Sequence, residues 1–169
     1  FYGKGQFYKD TAAVNDKGEF VFRGEDTLEH GMYSVLSGKM KVFDFLVDAQ
    51  KLSFETDTTY IVGNMKVKGG KENRLFYDYL KYLSKQNRQV AKLRKEQSNF
   101  KANSPEFNAY EDKINGINDQ VRAYIDELHE NHKGSFTSNF VNAVEYPEVP
   151  EAPEGADSTF GFKYFKSHF

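Results

Sequence analysis

The chain has 169 residues and nearly balanced charge, with 23 basic and 25 acidic side chains and a net charge of −2. This balance excludes the basic surplus that is typical of nucleic-acid-binding proteins, and no apolar stretch approaches the roughly 18 residues that a membrane-spanning helix needs. Cysteine is absent, which removes disulfides, thiolate metal sites and cysteine nucleophiles from the chemistry of this chain. Aromatic residues make up 16%, so large rings can supply core volume that the modest 38% hydrophobic content lacks.

The first 68 residues alternate apolar and polar side chains in the way that β-strands do. A first hairpin is predicted around the turn sequence Asn15-Asp16-Lys17-Gly18, and a second around Ser37-Gly38-Lys39. The predicted strands cover residues 7–14, 19–23, 32–36, 41–47, 51–56 and 60–68. Short strands at this spacing predict an antiparallel meander that closes toward a sandwich.

A long antiparallel helical hairpin is predicted from residue 71 to about residue 131. The second arm has the cleaner signal, because its apolar residues recur at alternating spacings of three and four along one face: Phe107, Tyr110, Ile114, Ile117, Val121, Tyr124 and Leu128. Ser104 and Pro105 supply a cap and a first-turn proline for that arm. The first arm carries a similar stripe, diluted in its middle by Gln86 and Asn87. Neither arm can bury its stripe alone, so we predict that the two stripes pack together.

These patterns predict an α+β protein with short C-terminal helices, divided into four parts. Residues 1–68 form an antiparallel β module, and residues 69–144 form a helical hairpin module. Residues 145–156 hold three prolines and four glutamates, which predict an extended linker. Residues 157–169 begin a further element. Their aromatic cluster, together with the abrupt start at Phe1, leads us to expect a piece of a longer protein.

Two sequence motifs are candidates for binding a metal ion or a phosphate. His129 and His132 share a helix face, but the metalloprotease motif needs one more residue between its histidines. Histidines in the last turn of a helix are also favoured by the helix dipole, so we interpret them as structural. Lys68-Gly69-Gly70-Lys71 lacks the spacing of a phosphate-binding loop and is interpreted as a strand-to-helix turn. We therefore predict no metal and no cofactor.

Charged residues give two further candidates. A hydrolase would need a pair of converging carboxylates, and the candidates are Asp44, Asp48, Glu55 and Asp57. No pattern shows that two of them converge, so we interpret them as strand-edge and loop charges. The first helical arm also carries a basic cluster, which we interpret as a solvated surface facing acidic residues of the second arm: Lys85, Arg88, Lys92, Arg94 and Lys95.

Four tyrosines are the candidate interaction surface. Tyr77 and Tyr82 fall partly outside the apolar stripe of the first arm, so they either dock another domain or pack on the β layer. Tyr33 and Tyr60, together with Phe43, would serve as stacking platforms for a glycan or peptide if they lie exposed on a sheet face.

Five stretches of this chain resemble a known family: residues 7–12 (FYKDTA), 16–22 (DKGEFVF), 45–48 (FLVD), 52–57 (LSFETD) and 72–80 (ENRLFYDYL). The family is the cell-envelope thiol–disulfide oxidoreductases of Bacteroides-type bacteria, in which a β-rich module and a helical module precede a thioredoxin-like domain. The likeness covers nearly the whole chain, and its motifs are structural. The family's Cys-x-x-Cys motif has no counterpart here, so no catalytic residue carries over.

The resemblance implies an exported protein of the periplasm or cell envelope, tethered to the membrane only through a lipid anchor outside this chain. It implies a non-catalytic accessory region that serves a thioredoxin-like domain of the same polypeptide. The region would position that domain, mediate dimerisation or recruit substrate for it. The expected partners are that domain and a second copy of the chain, without nucleic acid. The alternative is a free-standing periplasmic module that binds a glycan or peptide, and a hydrolase ranks last.

Overall fold

The computed structural model describes residues 8–144 and, further on, Thr159, Phe160, Lys163, Tyr164 and Lys166. Within these residues it contains four strands and four helices with these bounds: β1 Gly31–Ser37, β2 Met40–Val47, β3 Ser53–Glu55, α1 Ile61–Asn64, β4 Lys66–Lys68, α2 Lys71–Gln97, α3 Pro105–Asn131 and α4 Phe136–Val144. The predicted α+β class is confirmed. The predicted linker over residues 145–156 lies outside the described residues. Of the predicted C-terminal element, Phe160, Lys163, Tyr164 and Lys166 are helical.

The strands form two separate antiparallel sheets of two strands each, β1 with β2 and β3 with β4. The β1–β2 hairpin closes at Ser37 and Met40 through a two-residue turn, in which Gly38 has a φ of 59°. A positive φ at that turn position favours glycine, so the predicted second hairpin forms where its turn chemistry indicated. The strand predicted over residues 60–68 is shorter, because residues 61–64 form α1 and β4 begins only at Lys66.

The prediction of a first hairpin is wrong for residues 8–23, the part of it that the structure describes. Its turn forms, since the Asn15 Oδ1 accepts hydrogen bonds from the backbone N–H groups of Lys17 and Glu19. No strand follows on either side of the turn within residues 8–24. The apolar side chains there face solvent, with Val14 63% and Val21 62% exposed. A ribbon without a surface to pack on is marginal, and so strand propensity alone does not form it.

The helices α2 and α3 lie side by side and run in opposite directions. Gln97 at the end of α2 contacts Phe107 at the start of α3, whereas Tyr82 in the middle of α2 stacks on Tyr124 in the second half of α3. Ser104 caps α3 as predicted, because its Oγ accepts the Phe107 N–H at 3.2 Å. All seven residues of the predicted α3 stripe are buried or half-buried.

The core consists of two adjoining clusters that α2 connects. The first joins the strands to α2 through Leu46, Met65, Phe76 and Tyr77, with Phe43 and Phe54 packed against it. The second joins α2, α3 and α4 through Tyr79, Ile125, Leu128 and Val141. Successive turns of α2 therefore pack on the β layer and on the other helices.

The outer edge of β2 is covered by side chains of α2. The Asn73 Oδ1 accepts the Leu46 N–H at 2.7 Å, and the Asn73 Nδ2 donates to the Leu46 carbonyl. Tyr77, one turn later, donates its hydroxyl to the Asp44 carbonyl at 2.8 Å. Four helical residues rise about 6 Å and two strand residues about 6.7 Å, so side chains four apart on α2 match carbonyls two apart on β2. The match satisfies an edge that would otherwise stay unpaired.

Carboxylates from neighbouring elements cap two of the helices. The Asp48 Oδ2 accepts the Glu72 N–H at 2.9 Å, which caps α2 because Gly70 in the N-cap position has no side chain. The Glu72 carboxylate in turn accepts the N–H groups of Phe136 and Thr137 at the start of α4. Gly70 has a φ of 57°, and a Cβ there would lie 2.3 Å from an Asp48 oxygen. Glycine is therefore required at this strand-to-helix turn.

Candidate functional site

The four candidate carboxylates serve separate structural roles. Asp44 bonds to the Ser34 hydroxyl and to Lys41, and Asp48 caps α2. Glu55 pairs with Lys66, and the hydrogen bond and positive charge of that lysine lower the pKa of Glu55. Asp57 organises the turn before α1, as described below. In the described part of the chain no two of them bond to a common group, so the structure offers no assembled acid–base pair.

The histidines of the α3 terminus also have structural positions. The His129 Nδ1 lies 2.8 Å from the Ser138 hydroxyl of α4, and His132 is the C-cap residue of α3. Residues 8–144 and the five described residues beyond them hold no cluster of three or more His, Asp or Glu side chains that could bind a metal ion. His129 therefore joins α3 to α4, and His132 ends α3.

Three of the four candidate tyrosines make internal contacts. Tyr77 is only 2% exposed, so it belongs to the core and cannot dock a partner, and its burial raises the pKa of its hydroxyl. Tyr82 stacks on Tyr124 with ring centroids 4.0 Å apart and so belongs to the contact between α2 and α3. Tyr33 is half-buried and stacks on Phe45 at 5.8 Å.

The sheet therefore offers no free aromatic platform among the described residues. Phe43 and Phe45 are half-buried, and both pack against Phe54 of β3 at ring distances of 5.6 and 5.4 Å. Stacking of a sugar ring needs an open aromatic face. This packing removes the observation that would favour a glycan-binding sheet.

Tyr60, the fourth candidate, lies in a groove between α1, β2 and α2. Two adjoining depressions of about 410 and 440 Å³ share Val62, Leu80 and Ser84 in their walls, and so form one open groove, which we call the Tyr60 groove. Its α2 wall also includes Leu83, Asn87, Arg88 and Ala91, and its β2 wall includes Lys41, Val42, Phe43 and Asp44. The groove is open to solvent and has a largely apolar floor with a few polar groups at its rim.

The turn before α1 fixes the backbone of Tyr60. The Asp57 Oδ1 accepts hydrogen bonds from the Thr59 hydroxyl and from the N–H groups of Thr59 and Tyr60, and Oδ2 accepts one from the Asn64 amide. These hydrogen bonds, the Thr59 hydroxyl first, lower the pKa of Asp57 from 3.8 to about 2. The ring lies directly over Gly63, where a Cβ would come within 1.5 Å of it. Only glycine at position 63 allows this placement.

Tyr60 in turn holds Arg88 at the rim of the groove. The Arg88 guanidinium lies over the Tyr60 ring, with its Cζ 4.2 Å from the centroid, and donates to the Tyr60 hydroxyl oxygen at 2.7 Å. The Tyr60 hydroxyl lies 2.9 Å from the Ser84 Oγ. Because arginine can only donate, the Tyr60 oxygen accepts from Arg88, whereas either hydroxyl can donate in the contact between Tyr60 and Ser84. The remaining Arg88 N–H groups are left as donors at the rim.

No carboxylate of the described residues neutralises this arginine. Among the described residues, no Asp or Glu oxygen lies within ion-pair distance of Arg88, whereas Arg94 bonds to Glu111 and lowers its pKa. No acidic residue occurs on α2 between Asp78 and Glu96. Spacings of four and three align its other basic side chains with Arg88 on one face: Lys81, Lys85, Lys92 and Lys95. The predicted pairing of the basic cluster with acidic residues therefore holds for Arg94 with Glu111 and for Lys92 with Glu96, but not for Arg88 among the described residues.

The sequence predicts Tyr60 as a candidate and Arg88 only as a solvated charge, and it gives no prediction for Ser84 or Gly63. Asp57, Tyr60 and Gly63 lie at successive intervals of three residues. An Asp that bonds the backbone of the Tyr, and a Gly that leaves room for the Tyr ring, are features that neighbouring residues could indicate. The contact of Tyr60 with Arg88 spans 28 positions and has no local signal. It depends on how α1 packs against α2.

The comparisons with known proteins add no assignment. No protein-family model matches this chain, and neither the curated proteins nor the solved structures give a significant match. A search of the described helices for one that is both long and apolar enough to cross a bilayer also finds none. The Tyr60 groove is thus the feature on which a function can be argued.

Proposed function

We propose that this chain is a non-catalytic polypeptide-binding module. The Tyr60 groove takes a segment that lays apolar side chains on the groove floor and directs a carboxylate at Arg88. The observation that carries the proposal is the position of Arg88, held by Tyr60 at the mouth of an apolar groove without a carboxylate of its own among the described residues.

The chemistry of the rim supports an anionic group on the ligand. A guanidinium donates and a serine hydroxyl can donate, so a carboxylate oxygen is the natural acceptor. The basic face of α2 beside the groove adds a favourable field for an acidic segment. Val62, Leu80 and Leu83 supply apolar contact, which a free sugar or a lone anion would not use.

The resemblance stated above supports a context for this binding. In the proposed context the chain is the accessory region of an envelope thiol–disulfide oxidoreductase, and the groove recruits polypeptide substrates for the thioredoxin-like domain of the same protein. The alternative context is a free-standing periplasmic peptide-binding module. The intact mass and thiol content of the protein purified from its source separate the two. A mass near 19.5 kDa without a thiol would contradict an attached redox domain.

Binding to synthetic peptides tests the groove directly. Short peptides with alternating apolar residues are arrayed in matched versions that carry Glu, Gln or Lys at one central position. Wild-type protein is expected to prefer the Glu versions. Arg88→Gln should weaken binding of those versions about three- to tenfold, the value of one partly exposed charge-assisted hydrogen bond, and should leave the Gln versions unchanged.

Lys95→Gln is the matched control. It removes one positive charge from the same face of α2 but does not touch the groove. If both variants weaken binding equally, the field of α2 rather than the groove attracts the peptide. If no peptide binds wild-type protein better than Arg88→Gln, the proposed function is wrong.

A further inference from the structure

The outer edge of β1 is an unpaired strand edge. Leu46 and Asp44 of β2 direct their backbone groups at α2, so their register partners Met32 and Ser34 direct theirs away from β2, as antiparallel pairing requires. Within the described chain, no strand pairs with this side of β1 and no backbone hydrogen bond reaches those two residues. Such an edge is a template for another strand.

The same chain carries a strand-competent segment that pairs with no strand among the described residues. Residues 19–23 read Glu-Phe-Val-Phe-Arg, and Phe20, Val21 and Phe22 are 37%, 62% and 44% exposed. The Phe20 and Phe22 rings meet edge to face at 5.6 Å, so they project to one side as in an extended strand. Beyond Glu19, no backbone group of this segment is hydrogen-bonded within the described residues.

A contact at Leu28 separates the segment from the β1 edge of its own chain. The Leu28 N–H and carbonyl are both bonded to the Gln50 side-chain amide, at 2.9 and 3.0 Å. The residues just before β1 are therefore held beside the residues just after β2. The chain runs from Leu28 directly into β1 at Gly31. A reversal through residues 24–27 would place residue 23 opposite Leu28, whose backbone groups are already bonded to Gln50, and would bring the segment no further along the β1 edge than Met32.

We propose that two copies of this chain exchange residues 19–23, each segment adding as a third strand to the β1 edge of the other copy. Because every copy carries one free edge and one free segment, the exchange closes as a two-fold symmetric dimer. In antiparallel pairing the Phe20 and Phe22 rings extend the aromatic face that starts at Tyr33. Glu19 then lies toward the Lys39 end of the hairpin, where the charges are complementary.

The area available is sufficient for such a dimer. At their present exposure the three apolar side chains of one segment offer about 250 Å². Two segments and the two edges they cover would bury about 1,000 Å² in total, which is the lower limit of a specific interface, and new backbone hydrogen bonds would add to it. The inference does not depend on the Tyr60 groove.

Sedimentation equilibrium on the whole chain tests the proposal. Wild-type protein is expected at twice the 19.5 kDa chain mass. Val21→Pro removes a strand N–H and should give a monomer with an unchanged circular dichroism spectrum, because Val21 makes no core contact. Val14→Pro is the matched control, since Val14 is 63% exposed and lies outside the segment, and it should remain dimeric.

Hydrogen exchange distinguishes exchange between copies from pairing within one chain. In the dimer, the amides of Met32 and Ser34 should be protected, and Val21→Pro should abolish that protection. A wild-type monomer would overturn the proposal, whether or not those amides are protected. A Val21→Pro variant that stays dimeric would also overturn it, because the interface would then lie elsewhere.

Discussion

Replacing Asn73 by alanine tests whether this one side chain holds the β2 edge to α2. Asn73 is fully buried, and its amide bonds to both backbone groups of Leu46 and to the Asp48 carboxylate. Alanine at position 73 leaves a donor and an acceptor of Leu46 without partners, in a place where Leu46 is itself 2% exposed. The interaction is therefore lost without water to replace it.

The expected loss follows from those two groups. Each buried backbone group left unsatisfied costs about 1–3 kcal/mol, so the two groups together should lower the free energy of unfolding of Asn73→Ala by roughly 2–6 kcal/mol. A domain of this size is stable by about 5–15 kcal/mol, so the variant would be severely weakened but in most cases still folded. The higher helix propensity of alanine offsets only about 0.6 kcal/mol.

Urea denaturation followed by circular dichroism measures this loss. Asn115→Ala is the control, because Asn115 is exposed on α3 and gains the same propensity without losing a buried partner. The difference between the two variants isolates the contribution of the buried amide. A difference below about 0.5 kcal/mol, the usual effect of a surface change, would refute the assignment of Asn73 as the support of the β2 edge.

Three further predictions concern the helix contact and the Tyr60 turn. Gln86→Leu should stabilise the protein by about 1 kcal/mol, because the buried Gln86 Oε1 lacks a partner among the described residues. Gln97→Leu should destabilise the protein, because it breaks hydrogen bonds to α3. Equal midpoints of urea denaturation for the two variants would contradict this prediction. Ile117→Asp should lower the free energy of unfolding by roughly 2–4 kcal/mol, because it buries a charge in the face of α3 that contacts α2. A loss under about 0.5 kcal/mol would mean that Ile117 does not lie on that face. Asp57 should titrate near pH 2 when its carboxyl group is followed by NMR. Its contribution to stability is present in full above pH 3.8 and should fade as the pH falls toward 2. A titration midpoint at 3.8 would contradict the hydrogen bonds assigned to Asp57 in the turn.

The elements that could be predicted are those whose signals are local. The α3 stripe repeats over seven positions and is preceded by its own cap, so both its face and its start at Pro105 follow from neighbouring residues. The β1–β2 hairpin likewise depends on alternation and on a glycine in its turn. Such features need no knowledge of the rest of the chain.

The features that could not be predicted depend on distant contacts. Residues 19–23 alternate as well as β2 does, but alternation describes a side chain's neighbours along the strand and not whether a sheet lies beside it. Arg88 looked like one more solvated charge on a basic helix face, because nothing near it in sequence shows that Tyr60 packs beneath it. Tyr77 looked free of the apolar stripe, yet the β layer covers it.

The carboxylates that cap α2 and α4 make the two predicted modules one cooperative unit. Opening of the strand end that bears Asp48 would release the first turn of α2, and fraying of that turn would carry Glu72 away from α4. Local unfolding at either helix start therefore loosens the other, and we expect their amides to exchange at a common free energy. Cutting the chain at Gly69 would separate α2 from the carboxylate that caps it, at a cost of about 0.5–2 kcal/mol to the first turn of the helix.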